Sequence, residues 1–401
     1  MDTPTGYGRA APASDAPEGP AADTLPRVVH PPVPSDTLPS GPSGSADSAE
    51  LRGQVESALA TYLDARRADT AKISPVFAEA VDVLVEFVLG GGKRIRPTFA
   101  WWGWRGAGGD PDGPEAPAVL QAISALELIQ ASALVHDDLI DASATRRGRP
   151  TVHVGFAGRH ADAGWSGPPA RFGAAAAILL GDLALTWADD MYADAGLAPD
   201  ALARAADPWR GMRTEVLGGQ YLDVLTQATG DESPGAALRV DRFKTAAYTV
   251  ERPLHLGAEL AGAPAELISA YRRFGADIGV AFQLRDDLLG VFGDPGVTGK
   301  PAGDDLREGK RTLLVALALE RAGDGPARAE ITRALGDPGL DGVVVERLRS
   351  LFTELGAVQA VEQRIAALTG AALDALTTAE IAEPAASALQ DLAIRATRRH
   401  A

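Results

Sequence analysis

The chain has 401 residues, of which 46% are hydrophobic and 5% aromatic, so it is long enough to bury a large core. Its formal net charge of −16 argues against nucleic-acid backbone binding as the main activity, although local cations could still hold an anionic substrate. The absence of cysteine excludes disulfides and cysteine-type zinc sites, and the six histidines have no HxxxH or HExxH spacing, so zinc is not expected.

The first part of the chain, residues 1–48, is rich in proline, serine, glycine and alanine. Such a segment cannot bury enough apolar area to offset its chain entropy, so we predict a disordered tail. Residues 49–401 are predicted to be one all-α domain, because apolar residues recur at helical spacing and no strong β pattern appears. The longest apolar run, residues 174–188, contains Asp182 and is shorter than the roughly 20 residues of a membrane span. With an acid at position 2 and no apolar leader, we expect a cytoplasmic protein without a transmembrane segment.

A glycine-rich turn followed by cations is the first stretch that suggests chemistry; residues 90–97 read GGGKRIRP. Backbone N–H groups of such a turn, together with Lys93, Arg94 and Arg96, can bind phosphate oxygens. It is not a Walker A motif, because Phe87 and Arg94 stand where glycine and a hydroxyl residue are required. The alternative interpretation is a helix C-cap whose cations are favoured by the helix dipole.

A predicted apolar helix from residue 122 ends in three acids, Asp137, Asp138 and Asp141. Positions i, i+1 and i+4 fall within about one third of a helix circumference, so the carboxylates share a face. Three like charges at the end of a buried helix are costly without cations, which favours Mg²⁺ that also binds substrate phosphates. Arg146 and Arg147 follow as candidate phosphate ligands. The alternative is an acidic helix end that faces water.

Further along, Lys244 lies in an otherwise apolar predicted helix, where it needs a buried anion or must extend to the surface. A second apolar helix, residues 278–291, carries Asp286 and Asp287, with Gln283 one turn earlier. Two helices that end in carboxylates, each followed by cations, suggest one cavity in which Mg²⁺ bridges protein acids to a diphosphate. The motifs lie almost 150 residues apart, so they can meet only if most of the chain is one domain.

The motifs GGKRIRP (91–97), DDLID with RRGRPTVH (137–153), FKT (243–245), FQLRDD (282–287) and GKPAGDDLREGKRT (299–312) occur in this order. In order and spacing they resemble the trans-isoprenyl diphosphate synthase (polyprenyl synthetase) family, and the resemblance covers about residues 50–395. It implies a large all-α helical bundle around a deep central cavity, the isoprenoid synthase fold. Residues 49–401 would then be a prenyltransferase domain, usually a homodimer, with the two acidic motifs facing each other across the mouth of the cavity.

The same resemblance implies a role for each matching residue. Mg²⁺ would be bound by the acids of both motifs, Asp137, Asp138, Asp141, Asp286 and Asp287. The allylic diphosphate would be held by Arg146, Lys244, Lys300, Thr245, Gln283 and Lys310. Isopentenyl diphosphate would be fixed by Lys93, Arg96, Gln130 and Arg147. Neutralising the leaving diphosphate allows an allylic cation to form, which the double bond of isopentenyl diphosphate then attacks.

Two positions depart from the family pattern. The fifth position of the second motif is Gly290 where the fuller pattern has Asp, which removes one possible metal ligand; Asp294 is a candidate replacement. Gln130 stands where many members have His, and both side chains can donate a hydrogen bond.

The resemblance also bears on the product. It assigns the floor of the cavity to the fifth and fourth residues before Asp137, which are Ser132 and Ala133. Because both are small, we expect the C20 product geranylgeranyl diphosphate, with farnesyl diphosphate (C15) or a longer chain as the alternative. Bulky residues on neighbouring helices would be another way to close the floor.

Two other function classes use related features. A class I terpene cyclase needs no isopentenyl diphosphate site, and Lys93, Arg96 and Arg147 argue against it. A non-catalytic regulatory subunit would be expected to have lost its acids, whereas both Asp pairs are present.

Overall fold

The computed structural model describes residues 44–293 and 303–398, and within these ranges the chain is almost entirely helical, which confirms the predicted all-α class. The helices up to the middle of the chain are α1 (Gly44–Ile73), α2 (Pro75–Leu89), α3 (Ile95–Gly106), α4 (Ala116–Ser124), α5 (Leu126–Ile140), α6 (Val152–Asp162), α7 (Pro169–Ala193) and α8 (Pro199–Thr229). Those that follow are α9 (Pro234–Val240), a π-helix (Asp241–Glu251), α10 (Arg252–Ala261), α11 (Ala265–Phe292), α12 (Asp304–Arg307), α13 (Leu313–Ala322), α14 (Pro326–Ala334), α15 (Gly342–Glu354), α16 (Ala357–Leu376) and α17 (Ala385–Thr397). Between α5 and α6, strands β1 (Thr145–Arg146) and β2 (Arg149–Pro150) form a short antiparallel hairpin.

The segment predicted to be a disordered tail falls largely outside this description. Residues 1–43 are not among the described residues, and residues 44–48 belong to α1. The predicted candidates Lys300 and Asp294 also lie outside the described residues, which resume at residue 303.

Helix α5, which carries the first acidic motif, is buried on nearly all sides, as its apolar sequence predicts. Leu126, Leu128 and Val135 have no exposed surface, and Ile129 is 1% exposed. The helix packs against α7, α2 and α6. Its C-terminal end therefore holds the motif acids at the boundary of the main core.

The π-helix approaches both α8 and α11 closely, and a glycine on each neighbour allows it. A Cβ on Gly219 of α8 would lie 2.1 Å from the backbone nitrogen of Lys244, and a Cβ on Gly279 of α11 would lie 2.5 Å from the Cα of Ala246. No larger residue fits at either position without moving backbone. The two glycines therefore fix the depth of the π-helix, and with it the position of Lys244.

A second group of buried residues surrounds the C-terminal half of α11, where Leu284, Leu288 and Val291 pack with α13, α15 and α16. Arg285 fastens this end of the helix, because its guanidinium donates to both carboxylate oxygens of Glu362 at 2.5 and 2.6 Å. The part of α11 that carries the second acidic motif is thus held by apolar packing and by the contact between Arg285 and Glu362.

Two stretches are long and apolar enough to cross a membrane by length and composition, Ala116–Ile140 and Pro169–Ala193. Within the first, 67% of the most apolar 18-residue window is buried inside the protein, as expected of a core helix, and within the second the share is 39%. The sequence-based expectation that no segment is long enough to span a membrane is therefore not met by these two stretches. Helices of this length and composition also occur in protein cores, so they are weak evidence for a membrane span.

Candidate active site

The three acids of the first motif meet cations from two other parts of the chain. Asp137 lies 2.9 Å from the Nζ of Lys244 and 3.5 Å from an Nη of Arg146. Asp138 is 1% exposed, and the Nε of Arg146 donates to its two carboxylate oxygens at 2.8 and 2.9 Å. Asp141 follows directly after the last residue of α5. The tight hairpin β1–β2 brings Arg146 back over the end of α5.

Burial and neighbouring charges shift the pKa values of the three carboxyl groups in different directions. Burial, together with the nearby charge of Asp137, raises the pKa of Asp141 to about 6. Burial also raises the pKa of Asp138, and its contact with Arg146 does not outweigh this. For Asp137, burial alone would raise the pKa, but Lys244, Lys310 and Arg146 outweigh it and lower the pKa. Asp137 and Asp141 are therefore both ionised above about pH 6 and repel each other.

Lys244 has the buried anions that its apolar helix requires. Its Nζ lies 2.9 Å from Asp137 of α5 and 2.6 Å from Asp223 of α8. Burial alone would lower the pKa of Lys244, but Asp137 and Asp223 outweigh it and raise the pKa above its ordinary value. The lysine therefore stays charged and links the first motif to α8.

The second motif contributes one buried and one exposed acid. Asp287 is 5% exposed, and Gln283 donates to its Oδ1 at 2.6 Å, whereas Asp286 is exposed on the surface of α11. Burial raises the pKa of Asp287 well above its usual range, and repulsion from Asp241 and Asp305 adds to the rise. Burial also raises the pKa of Asp241 to about 8, helped by Asp223. This chain of interacting acids connects the second motif to the Lys244 contact.

Residues 303–310, which follow α11 in the described part of the chain, contribute Lys310 and two acids to the site. The Nζ of Lys310 lies 3.3 Å from Asp305 and 2.8 Å from Glu308, and its charge also acts on Asp137 and Asp141. Ser143, two residues after the first motif, donates to Glu308 at 3.3 Å. The two acidic motifs, almost 150 residues apart in the sequence, therefore belong to one site.

The predicted isopentenyl diphosphate residues gather beside the glycine turn. Arg147 is exposed and donates to the carbonyl of Gly91 at 2.7 Å, and Lys93 is exposed on the same turn. Arg96 is 8% exposed, donates to Thr249 at 2.8 Å and has a buried Nε without a hydrogen-bond partner among the described residues. Arg147 thus contacts the glycine turn that carries Lys93, whereas Arg96, at the start of α3, contacts the π-helix.

Arg94, another cation of the glycine turn, is buried and binds groups of the protein itself. It has a left-handed backbone with φ of 48°, and its side chain donates to Glu127 at 2.8 Å and to the carbonyl of Val88 at 2.9 Å. A non-glycine residue keeps this conformation only when its surroundings hold it. Arg94 therefore fixes the shape of the turn that presents Lys93.

Gln130 and Arg96 share one neighbour, Tyr248 of the π-helix. The Tyr248 hydroxyl donates to the Oε1 of Gln130 at 2.8 Å, and the guanidinium of Arg96 lies 4.1 Å from the centre of the Tyr248 ring. With its oxygen occupied, the Gln130 amide has its NH₂ group left to donate. Thr245, one residue after Lys244, is half-buried on the same helix.

The two residues assigned to the cavity floor lie on α5 about one turn before Asp137. Ser132 is 4% exposed and Ala133 is half-buried against the main core. Their role in setting product length stays a prediction.

The buried carboxylates fit a metal that brings part of its own ligand shell. Within residues 44–293 and 303–398, no group of three or more Asp, Glu or His side chains is arranged to hold a metal by itself. The Oδ2 of Asp287 is nevertheless buried without a hydrogen-bond donor among those residues. One or two carboxylates with the rest supplied by phosphates and water is the usual arrangement of Mg²⁺. The donor set therefore suits Mg²⁺ bound together with a diphosphate.

Several polar residues of the site carry no role in the sequence prediction, chiefly Asp223, Asp241, Asp305, Glu308 and Tyr248. Asp223 has a weak signal, since it shares a helical face with Gln220, and so has Tyr248, which follows Lys244 by four residues. Asp305 and Glu308 lie within the motif of residues 299–312, although no role is predicted for them. Asp241 reaches the site through tertiary packing.

Comparison with known proteins agrees with this geometry. The polyprenyl synthetase family model matches residues 77–344. The crystal structure of a geranylgeranyl pyrophosphate synthase from Corynebacterium glutamicum, complexed with isoprenyl diphosphate and magnesium, is 48% identical with a TM-score of 0.85, over 88% of this chain and 100% of that one. A geranylfarnesyl diphosphate synthase from Aeropyrum pernix is 35% identical over 70% of this chain and 81% of its own length. A geranylgeranyl diphosphate synthase from Mycobacterium tuberculosis is 34% identical over 72% and 77%.

Proposed function

Because the chain belongs to the polyprenyl synthetase family and is a trans-prenyl diphosphate synthase, we propose that it makes geranylgeranyl diphosphate with the help of Mg²⁺. The reaction is the head-to-tail condensation of isopentenyl diphosphate with allylic diphosphates. The observation that carries the proposal is that Lys244 and Lys310 act on Asp137 of the first motif and also on Asp241 and Asp305, the two acids that interact with Asp287 of the second motif.

The allylic diphosphate is assigned to the site that the two acidic motifs form. Asp137, Asp141 and the Asp286–Asp287 pair would hold Mg²⁺ together with the diphosphate, and the bound metal would supply the positive charge that makes diphosphate a good leaving group. Lys244 and Arg146 both lie against Asp137, and Asp138 accepts hydrogen bonds that hold the Arg146 guanidinium there. Both cations are therefore assigned to the allylic diphosphate. Further contacts are assigned to Lys300, Lys310, Thr245 and Gln283.

Isopentenyl diphosphate is assigned to the glycine turn, where Lys93, Arg96, Arg147 and Gln130 would hold its phosphates. A buried arginine nitrogen without a partner is costly, and an anion at Arg96 would satisfy it. Fixing the diphosphate there directs the double bond of isopentenyl diphosphate toward C1 of the allylic substrate, which lowers the entropic part of the barrier. The apolar core around α5 keeps water away from the allylic cation.

Product length is assigned to the small residues Ser132 and Ala133 before the first motif. Support comes from the geranylgeranyl names among the relatives, although a C25 synthase is also among them. The alternative is therefore a C15 or longer product from the same reaction. The family also supports a homodimer as a proposal, and the cytoplasmic location stays a prediction.

The direct test is to incubate the purified protein with Mg²⁺, isopentenyl diphosphate and each of the C5, C10 and C15 allylic primers, and to size the products. Growth that stops at C20 is the expected result. A stop at C15 or C25 would keep the reaction and reject the assigned length. No consumption of isopentenyl diphosphate with any primer would contradict the proposal.

A floor variant tests the length assignment by itself. Replacing Ser132 with Phe should shorten the main product to C15 or below, because an aromatic ring at a residue that is 4% exposed fills the space below the first motif. Ser132→Ala is the matched control and should keep the wild-type product. An unchanged product in Ser132→Phe would place the floor elsewhere.

A further inference from the structure

The π-helix, Asp241–Glu251, differs from an ordinary helix in which of its residues share a face. An α-helix has about 3.6 residues per turn, whereas a helix with i→i+5 hydrogen bonds has roughly 4.4. The backbone N–H of Arg252 donates to the carbonyl of Ala247, five residues earlier, so this bonding pattern continues to the end of the element. Residues five and nine apart therefore lie about 50° and 20° apart around a π-helix, against about 140° and 180° around an α-helix.

Backbone contacts with α11 follow the spacing of the π-helix. A Cβ on Gly279 would lie 2.5 Å from the Cα of Ala246, and a Cβ on Gly275 would lie 2.4 Å from the Cα of Glu251. The two glycines are four residues apart and share one face of α11, whereas Ala246 and Glu251 are five residues apart. One face of α11 contacts both because i and i+5 residues share a face of the π-helix.

The same winding aligns residues of the two proposed substrate sites. Lys244 lies 2.9 Å from Asp137 of the first motif, and Thr249, five residues after the lysine, accepts a hydrogen bond from Arg96 at 2.8 Å. The ring of Tyr248 also contacts the Arg96 guanidinium. On an α-helix Lys244 and Thr249 would lie about 140° apart, so they could not make these two contacts together. The π-helix therefore sets the allylic diphosphate group Lys244 relative to the isopentenyl diphosphate group Arg96.

An ion pair joins the two ends of the π-helix. The guanidinium of Arg242 donates to the Oε2 of Glu251, nine residues later. Glu251 is 2% exposed, and its Oε1 accepts a hydrogen bond from the Nε of Arg272 of α11 at 3.0 Å. On an α-helix nine residues span about 13.5 Å and end on the opposite face, which is beyond the combined reach of the two side chains. The contact between Arg242 and Glu251 therefore forms in the π-helix and not in an α-helix of the same residues.

We propose that Arg242 and Glu251 are positioning residues, because their ion pair holds the segment in π-helical winding. A contact that exists in one conformation and not in the other stabilises the first relative to the second. Loss of a partner from the buried Glu251 carboxylate is costly, which adds to this preference. The inference rests on the proposed function, since the two groups that the winding aligns, Lys244 and Arg96, are those assigned to the two diphosphates.

The test compares the two arginines that bind the same carboxylate. Arg242→Met and Arg272→Met each remove one positive charge from Glu251, but only the first removes the contact between the ends of the π-helix. Arg242→Met should lower kcat about tenfold or more, because small misplacements of positioning groups are costly. Arg272→Met is the matched control and should keep kcat within about threefold of wild type. Initial rates with both substrates saturating measure the difference.

A second readout separates positioning from stability. Urea unfolding should show that both variants are less stable than wild type, because each weakens the binding of a buried carboxylate. If the role of Arg242 were only to stabilise the fold, kcat per folded molecule would stay the same in both variants. The KM for the allylic substrate should stay within about threefold in Arg242→Met, since the contacts of Lys244 with Asp137 and Asp223 do not involve the ion pair.

The outcomes distinguish the inference from the function on which it rests. Wild-type protein that consumes no isopentenyl diphosphate with any allylic primer would contradict the proposed function itself. An active wild-type protein whose Arg242→Met and Arg272→Met variants have equal kcat would overturn only the positioning role.

A crystal structure of the wild-type protein covers the case in which the variants do not fold. Hydrogen bonds between residues five apart across 241–251, with the Arg242 guanidinium on Glu251, are the expected result. Ordinary i→i+4 hydrogen bonds throughout this segment, with Arg242 on the face opposite Glu251, would overturn the proposal.

Discussion

At the scale of single residues, Tyr248 links two groups assigned to isopentenyl diphosphate. Its hydroxyl orients the Gln130 amide and its ring supports the Arg96 guanidinium. Tyr248→Phe removes the hydrogen bond and keeps the ring, so we expect the KM for isopentenyl diphosphate to rise about threefold to tenfold, the effect of one net hydrogen bond. The KM for the allylic substrate should stay close to wild type, because the Lys244 contacts do not involve the hydroxyl. Steady-state kinetics with each substrate varied in turn measures both constants.

Tyr248→Leu provides the comparison, since it removes the ring that lies under Arg96 as well as the hydroxyl. Its KM for isopentenyl diphosphate should rise further than that of Tyr248→Phe. An unchanged KM for isopentenyl diphosphate in both variants would mean that Tyr248 does not position this site.

Asp141 illustrates a conflict between stability and function. Burial and Asp137 raise its pKa from 3.8 to about 6, so the folded metal-free protein binds a proton more tightly than the unfolded chain. Ionisation of Asp141 therefore lowers the free energy of unfolding as the pH rises from about 4 to about 6, and the free energy stays lower above that range. Asp141→Asn should stabilise the metal-free protein at pH 8 by about 3 kcal/mol, and this gain should disappear near pH 4.

Urea unfolding in a chelator at the two pH values measures this difference. The same variant should lose most of its Mg²⁺-dependent activity, because it removes a proposed metal ligand. Asp182→Asn is a suitable control, since the Asp182 side chain is 66% exposed and should alter stability little at either pH. A variant that is less stable than wild type at pH 8 would contradict the predicted sign.

At the scale of elements, the depth of the π-helix depends on glycine. Gly219→Ala places a methyl group 2.1 Å from the backbone nitrogen of Lys244, so the π-helix must shift. We expect a loss of about 1–3 kcal/mol in the free energy of unfolding and, because misplacement of a positioning group by about 1 Å is costly, a fall in kcat of about a hundredfold. Chemical denaturation and initial rates measure the two effects.

The chain offers a matched control at the adjacent glycine. Gly218 is exposed on the same helix, and a Cβ there would have no atom within 4 Å. Gly218→Ala should leave the activity unchanged and stabilise α8 by up to about 1 kcal/mol through helix propensity. Equal activity of the two variants would show that the close approach does not set the position of Lys244.

The elements also show which parts of the site a sequence can predict. Apolar periodicity with terminal acids is enough to place the first motif at the end of α5, because both depend on neighbouring residues. The π-helix is not predictable in this way, since its sequence fits ordinary helical spacing and only contact with Gly219 and Gly279 reveals its position. Among the cations of the glycine turn, composition cannot separate Arg94, which binds Glu127, from Lys93, which is exposed.

At the scale of the whole molecule, long-range partners account for what sequence reasoning missed. The need of Lys244 for a buried anion follows from its apolar surroundings, but the identity of Asp223 depends on how α8 packs against the π-helix. In the same way, Arg242 and Glu251 are visible in the sequence, whereas their pairing across the two ends of the π-helix is a property of the folded chain. The family pattern supplied the residue types, and the tertiary structure supplied their pairing.

The surface of the molecule presents apolar side chains on two of its long helices. Exposed large hydrophobic residues are Phe172, Ile178 and Leu179 on α7, and Leu217, Tyr221, Val224 and Leu225 on α8. On α8 they recur at helical spacing, so they form a stripe on one face. A stripe of exposed apolar side chains of this kind marks a binding face. A second copy of the chain is the occupant that the proposed homodimer requires.

We therefore expect the purified protein to have about twice the 41.5 kDa mass of one chain in size-exclusion chromatography with light scattering. Leu179→Asp combined with Leu217→Asp should shift it to the monomer at micromolar concentration, because each buries a charge in an apolar interface. Val343→Asp is the control, since Val343 is 79% exposed and lies on α15 rather than on α7 or α8, and its variant should remain dimeric. A wild-type protein that is monomeric at high concentration would contradict the homodimer, whereas a dimer that survives the double substitution would place the interface on another face.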